Sequence, residues 1–370
     1  MSIKCMLSAS TAAVVIFSTF SFAEAQSVLP SPEWIQAVPP GPVSGTKMTE
    51  EYARLVARDA YFWAWPLVNV YNRRLTYQKL SDIVLSGPVP AAPLNQLGML
   101  TNYIVPEERI VACPNQDVVY GVGALALDVS PVVIQVPDFG ERFWVYQIVD
   151  LRTDSFADLG KMYGTAPGFY LLVAPNWKGE TPKGITKVFR ASTNTGYVIP
   201  RVFQDDTPED NKAVQSVTHQ VMMYPLAQYD GKIKSRDWSQ LPKTPGAASG
   251  DEEVKWVVPE TFFDTLPLAL RDAPPLPGEE ARYAEVQAVL AAAEKDPKIK
   301  AAMVKAAVDA DNELVKPLFE FRNWVCSCRT IGVRKSMVPH LGRTTSLALR
   351  SGNRTFSSTN PTRLNTFIKT

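Results

Sequence analysis

The residues with the most chemical promise fall in one stretch of this chain. Asn115, Asp117 and Tyr120 stand on a polar approach to a strand, and Arg142 and Asp150 bracket the next strongly β-forming segment. Two carboxylates, a guanidinium and a phenol converging on one end of a β-sandwich would bind a sugar or a small acid, and would also divide general acid and base duties. On that reading Asp117, Arg142 and Asp150 are the catalytic groups, while Asn115, Tyr120, Tyr146 and Arg201 contact the ligand. The same residues have a plainer use, in which Asn115 and Asp117 cap a turn through their own backbone and Arg142 pairs structurally with Asp150.

Other chemistries find less support. His219 is the one histidine outside the basic C-terminal segment. A hydrolase triad would have to run through it, but no Gly-x-Ser-x-Gly elbow is present, so it reads as a helix-surface or core histidine. There is no His-Glu-x-x-His, and Cys326-Ser327-Cys328 lacks the second pair of a zinc module, so no metal is expected. Asp205, Asp206, Glu209 and Asp210 could offer oxygens to calcium but lack the glycine-containing loop of a helix-loop-helix site. Cys113 beside Pro114 reads as buried filler. Without a phosphate-cradling glycine loop, no nucleotide or other cofactor is expected.

The elements that must position these groups follow from patterning. Thr49 with Glu50 and Glu51 marks a helix start, and apolar residues continue at helical spacing to Pro66, which must kink or break the helix. From about Cys113 the period shortens. Residues 131–136, 142–150, 169–173, 187–190 and 197–203 are rich in β-branched and aromatic residues and are separated by turn signals. Strands at this spacing without intervening helices imply an antiparallel sandwich or half-barrel. Within 142–150, alternation places Phe143, Val145, Gln147 and Val149 on one face and Trp144, Tyr146, Ile148 and Asp150 on the other. Both faces are largely apolar, which predicts a central strand covered on both sides; aromatic rings there either bury or stack on sugars. Helices are expected over 209–224, 259–270, 279–293 and 299–315.

The N-terminus carries Lys4, an apolar run over residues 6–22 that is too short to span a bilayer, and Ala23-Glu24-Ala25 ahead of Gln26. This three-part pattern is a cleavable secretory signal, so the mature chain is expected to be periplasmic or secreted, with no transmembrane segment. The formal charge of +1 hides an asymmetry: residues 324–370 hold eight Lys or Arg and no acid, and residues 26–323 hold 29 basic against 36 acidic residues. An acidic body has no electrostatic reason to bind nucleic acid. Three cysteines remain beyond the signal, an odd set that argues against structural disulfides.

Past Asn323 the chain loses its period and clusters Ser, Thr and Arg. The segment reads as a disordered tail or as translation in a shifted frame, since Trp-Val-Cys-Ser-Cys-Arg is encodable so that the adjacent frame reads Gly-Val-Gln-Leu-Pro.

The most distinctive blocks are Pro114-Asn115-Gln116-Asp117-Val118-Val119-Tyr120, Leu127-Asp128-Val129-Ser130-Pro131, and Arg142-Phe143-Trp144-Val145-Tyr146-Gln147-Ile148-Val149-Asp150. With Ala60-Tyr61, Trp65-Pro66-Leu67 and residues 168–175, they resemble the bacterial family named domain of unknown function 1254, over roughly residues 49–229. Members of that family commonly continue into a second β-rich domain, numbered 1214, which the resemblance implies is lost or frame-shifted here. It implies no assigned activity.

The expected architecture is α+β: a kinked N-terminal helix packed on an antiparallel β-sandwich, followed by a helical segment and a disordered tail. Its divisions are a signal peptide (1–25), a linker (26–48), the helix-plus-sandwich domain (49–240), a helical segment (251–323) and the tail (324–370). Three functional readings follow: an exported small-ligand-binding or envelope-associated module, a hydrolase or lyase acting on a small polar or sugar-like compound, and an inactive truncated product.

Overall fold

A computed structural model describes residues 47–104, 115, 117–244, 255–320, 325–327 and 333–335. The signal, most of the linker and Cys113 lie outside the described residues. Helix α1 (Glu50–Tyr77) starts as its sequence requires, with the Thr49 hydroxyl accepting from the Tyr52 amide at 3.2 Å and two acids in the first turn. It runs unbroken through Pro66. The donor lost there is offset by burial of Trp65, Leu67 and Val68 around it.

The strands follow: β1 (Val84–Ser86), β2 (Val89–Ala91), β3 (Leu97–Met99), β4 (Val118–Ala126), β5 (Val132–Val136), β6 (Trp144–Asp150), β7 (Leu159–Gly160), β8 (Gly168–Val173), β9 (Ile185–Arg190) and β10 (Thr195–Phe203). Helix α2 (Pro208–Thr218) precedes β11 (Met222–Pro225) and β12 (Lys243–Thr244). The helical segment holds α3 (Phe262–Asp272), α4 (Glu280–Lys295) and α5 (Pro297–Ala310), then a π-turn at Asp311–Val315 and α6 (Lys316–Glu320). In the expected tail, β13 (Val325–Ser327) pairs antiparallel with β14 (Val333–Lys335); the rest of 324–370 lies outside the described residues.

Two sheets make the sandwich, one ordered β3-β4-β10-β6-β7 and the other β11-β5-β8-β9. Val119 and Leu125, Trp144, Tyr146 and Ile148, and Val198 and Val202 from the first meet Val132, Ile134 and Val136, and Tyr170 and Leu172 from the second in one core. The other face of the first sheet gives Ala124, Val149 and Tyr197 to a second core shared with the helices. There Ala53, Ala57, Ala60 and Ala64 of α1 recur at helical spacing and let α5 approach with Met303, Ala306, Ala307 and Ala310. The result is three layers: helices, a five-stranded sheet and a four-stranded sheet.

Three details differ from the sequence reading. The four-stranded sheet contains one parallel pair, β8–β9, because residues 174–184 carry the chain back to the same end before it re-enters. The helix expected over 209–224 stops at Thr218, and Met222 to Tyr224 instead pair with Gln135 to Val133 on β5. Finally, β6 is covered on both sides only at one end. Its Val149 lies under the helices, whereas Phe143 is 45% exposed and Val145 and Gln147 are half-buried.

Gly123 sits where β3, β4 and β11 converge. A Cβ there would lie 2.5 Å from Met223 Cε, 2.7 Å from the Gln96 carbonyl oxygen and 2.8 Å from Leu97 Cβ. Gly123→Ala should therefore push β3 from β4 and destabilise the protein by about 1–3 kcal/mol in urea denaturation. Unchanged stability would show that the strands do not need this close approach.

Candidate functional site

The register of β10 decides which candidate residues can meet. At one end Gly196 pairs with Asp150; at the other the Gln204 amide donates to the Asp117 carbonyl at 3.1 Å. At ~3.3 Å per residue, Asp117 and Asp150 are separated by roughly 26 Å along the sheet. Paired catalytic carboxylates stand at most ~9.5 Å apart. The expected grouping of Asp117, Arg142 and Asp150 is therefore not formed, and Asp150 leaves the site.

Asp150 instead organises a turn. Its Oδ1 accepts from the amides of Arg152 at 2.8 Å and Asp154 at 3.0 Å, and Oδ2 accepts from the Ser192 hydroxyl. Burial raises its pKa above the usual aspartate value, with the Ser192 hydrogen bond pulling the other way. Arg142 does pair structurally, but with Asp210 rather than Asp150: its Nη1 reaches Asp210 Oδ2 and the Phe203 carbonyl at 2.7 and 2.8 Å. That pairing holds the Asp210 carboxyl below its ordinary range. Tyr146, nominated as a ligand contact, is 1% exposed inside the sandwich and cannot reach one.

The remaining nominees gather at the Phe203 end. The Asn115 amide donates to the Tyr120 hydroxyl at 2.8 Å, and the Asp117 amide donates to Asn115 Oδ1 at 3.2 Å, so this approach is capped through its own backbone. Tyr120 lies opposite Arg201, whose guanidinium carbon is 5.6 Å from the ring centroid, and Arg201 Nη2 donates to Gln147 Oε1 at 2.9 Å.

Beside them the rim opens into an exposed cleft of about 560 Å³ lined by Asn102, Tyr103, Gln204, Asp205, Asp206 and Asn211 among others. A second hollow of about 470 Å³, bordered by Glu141, Arg142, Phe143 and Phe203, shares Asp205 with it. Gln204 is 2% exposed; its Nε2 donates to Asn102 Oδ1 at 2.8 Å, while Oε1 has no hydrogen-bond partner among the described residues. An acceptor buried in that way costs roughly 1–3 kcal/mol. Tyr103 donates its hydroxyl to Asp206, and burial raises the phenol's pKa. Sequence reasoning passed over Asn102, Tyr103, Gln204 and Asn211. Only Gln204 follows a predicted strand, 197–203, and its partner Asn102 lies 102 residues away after a stretch in which the sequence marked no element.

The aspartates considered for calcium have other duties. Asp205 Oδ1 accepts from the Asp206 amide, and Asp210 accepts from the Asp205 amide. Among the described residues no three His, Cys, Asp or Glu side chains form a metal-sized group. His219 caps the C-terminus of α2, its Nε2 3.5 Å from Asp237 Oδ1. Among the described residues no helix is long and apolar enough to cross a membrane.

These elements define an α+β protein built on a β-sandwich with a polar cleft at one rim. Residues 94–225 match the family described as "Protein of unknown function (DUF1254)". The match runs from just before β3 through β11, so the resemblance read from the sequence holds across the sandwich. Among solved structures the chain is similar to the VPA0106 protein from Vibrio parahaemolyticus, with 18% identity, a TM-score of 0.48 and coverage of 72% of this chain. The similarity spans 60% of that protein's length. No curated protein matches the chain.

Two carboxyls shift oppositely, which gives a pH test. Asp210, depressed in the fold, adds stability above its unfolded pKa that is lost as pH falls through the folded value. Asp150, raised in the fold, adds stability at low pH that is lost as pH rises through its folded value. In urea melts from pH 3 to 8, Asp210→Asn should lose about 1–2 kcal/mol at neutral pH and converge on wild type in acid. Asp150→Asn should gain relative to wild type as pH rises, and parallel curves for both variants would contradict the assignment.

Proposed function

We propose that this chain is an exported module that binds a small, hydroxyl-rich ligand such as a sugar in the rim cleft. Export is supported by the secretory pattern of residues 1–25. The ligand class is supported by the cleft's inventory: amides from Asn102, Gln204 and Asn211, carboxylates from Asp205 and Asp206, and the ring of Tyr103. Amides and carboxylates match alternating hydroxyl donors and acceptors, and an aromatic ring suits a sugar's apolar face. The observation that carries the reading is the polar wall that two distant segments build together: Gln204 Nε2 donates to Asn102 Oδ1 and the Tyr103 hydroxyl donates to Asp206, which holds these cleft-lining side chains in one arrangement.

The hydrolase or lyase reading loses its support with the separation of Asp117 from Asp150, and the binding role stands in its place. The test is a thermal-shift titration of the full chain with glucose, N-acetylglucosamine and maltose. A ligand bound only by the folded state adds about 2.7 kcal/mol at one hundred times its Kd, so a saturable rise in Tm is expected for at least one sugar. Tyr103→Ala and Gln204→Leu should each weaken that ligand at least about tenfold. Absence of any saturable shift, or a shift indifferent to both variants, removes the cleft as the site.

A further inference from the structure

We infer that the half-open face of the five-stranded sheet, at Arg201, is a separate site for a small organic carboxylate with an apolar body. This site lies on the helix-side face of the sheet and does not depend on the cleft reading. Six arginines among the described residues pair with a carboxylate: Arg58 with Glu313, Arg74 with Asp128, Arg142 with Asp210, Arg152 with Glu279, Arg236 with Asp82 and Arg282 with Asp59. Arg190, which lacks a carboxylate, is held by the carbonyls of Ala174, Pro175 and Trp177 at 2.8–3.0 Å. Arg201 has neither. Its hydrogen bond goes to the neutral Gln147 amide, its guanidinium lies over Tyr120, and its Nε is buried with no hydrogen-bond partner among the described residues. A half-buried guanidinium whose polar partner among the described residues is a neutral amide favours an anion, because burial strengthens its field while denying it water.

The surroundings choose the anion. Tyr120 and Val145 lie directly opposite Arg201 on the two neighbouring strands, Ile199 and Gln147 form the next row, and Phe203 and Phe143 the row beyond. With strands ~4.8 Å apart, these side chains tile a floor around the guanidinium. All are half-buried except Phe143, which is exposed. Apart from Gln147 and the Tyr120 hydroxyl, the floor is apolar. A carboxylate with a ring or short chain would set its charge on Arg201 and its body on Ile199, Val145 and the phenylalanines. A phosphate, strongly hydrated and without an apolar body, would gain nothing from that floor.

The probes are sodium benzoate and sodium hexanoate, with benzyl alcohol and inorganic phosphate as comparators, titrated into the full chain by calorimetry and thermal shift. Saturable binding of at least one acid is expected, weaker by about tenfold or more in Arg201→Met and partly kept in Arg201→Lys. Gln147→Glu supplies an internal carboxylate to Arg201, so it should raise the Tm of the free protein and block the acid; this variant decides the matter even if Arg201→Met folds poorly. No binding of either acid, equal binding of benzyl alcohol, preference for phosphate, or acid affinity unchanged in Gln147→Glu would each overturn the inference. Loss of sugar shifts with acid binding intact would overturn only the cleft.

Discussion

Strand β10 is the member on which the other parts depend. It is hydrogen-bonded along both edges, to β4 and β6, and its alternating side chains supply both cores. Val198 and Val202 enter the sandwich, and Tyr197 enters the helical layer. Its first residue is tied down twice: Arg74 donates to the Thr195 hydroxyl at 2.7 Å, and Asp272 accepts from the Asn194 and Thr195 amides at 3.1 and 3.0 Å. Those bonds lock α1 and α3 to the sheet at the Gly196 end. The Phe203 end is tied instead to α2, through Arg142 bonding the Phe203 carbonyl and Asp210, and there the polar rim opens.

Pro200 sharpens that asymmetry. A proline cannot donate to a ladder, and within a central strand it interrupts pairing. Here the β4–β10 pairing is interrupted between Val198 and Arg201 without a change of register, opposite Gly121, whose missing side chain leaves room for the proline ring. Arg201 and Tyr120 resume the pairing just beyond the break. The strand is thus regular where it is buried under helices and irregular where its face is open, the pattern expected when a scaffold holds one end rigid and leaves recognition to the other.

Much of the architecture was legible because it rests on short-range physics. The Thr49 cap, the helical spacing of α1 and the alternation within residues 142–150 follow from local sterics and periodicity, and the helix and strand form where the pattern puts them. The misses fall where a distant partner overrides the local pattern or an element is too short to show one. Met222 to Tyr224 continue a helical composition but extend to pair with β5, a partner nearly ninety residues away in the chain. β1, β2 and β3, at three residues each, are too short to carry a period.

The site was legible only in part. Side-chain chemistry marked Asn115, Asp117, Tyr120, Arg142 and Arg201, and these do gather at one end of the sheet. Asp150 and Tyr146 were placed wrongly because distance along a strand and the choice of face depend on which strands pair and which layer covers them. Composition and periodicity determine helix, strand and the two-layered sandwich, since each residue's preference acts on its immediate neighbours. Register, the coverage of one half-face and the meeting of Asn102 with Gln204 were decided only in three dimensions, where contacts between residues a hundred positions apart settle which polar groups find a partner.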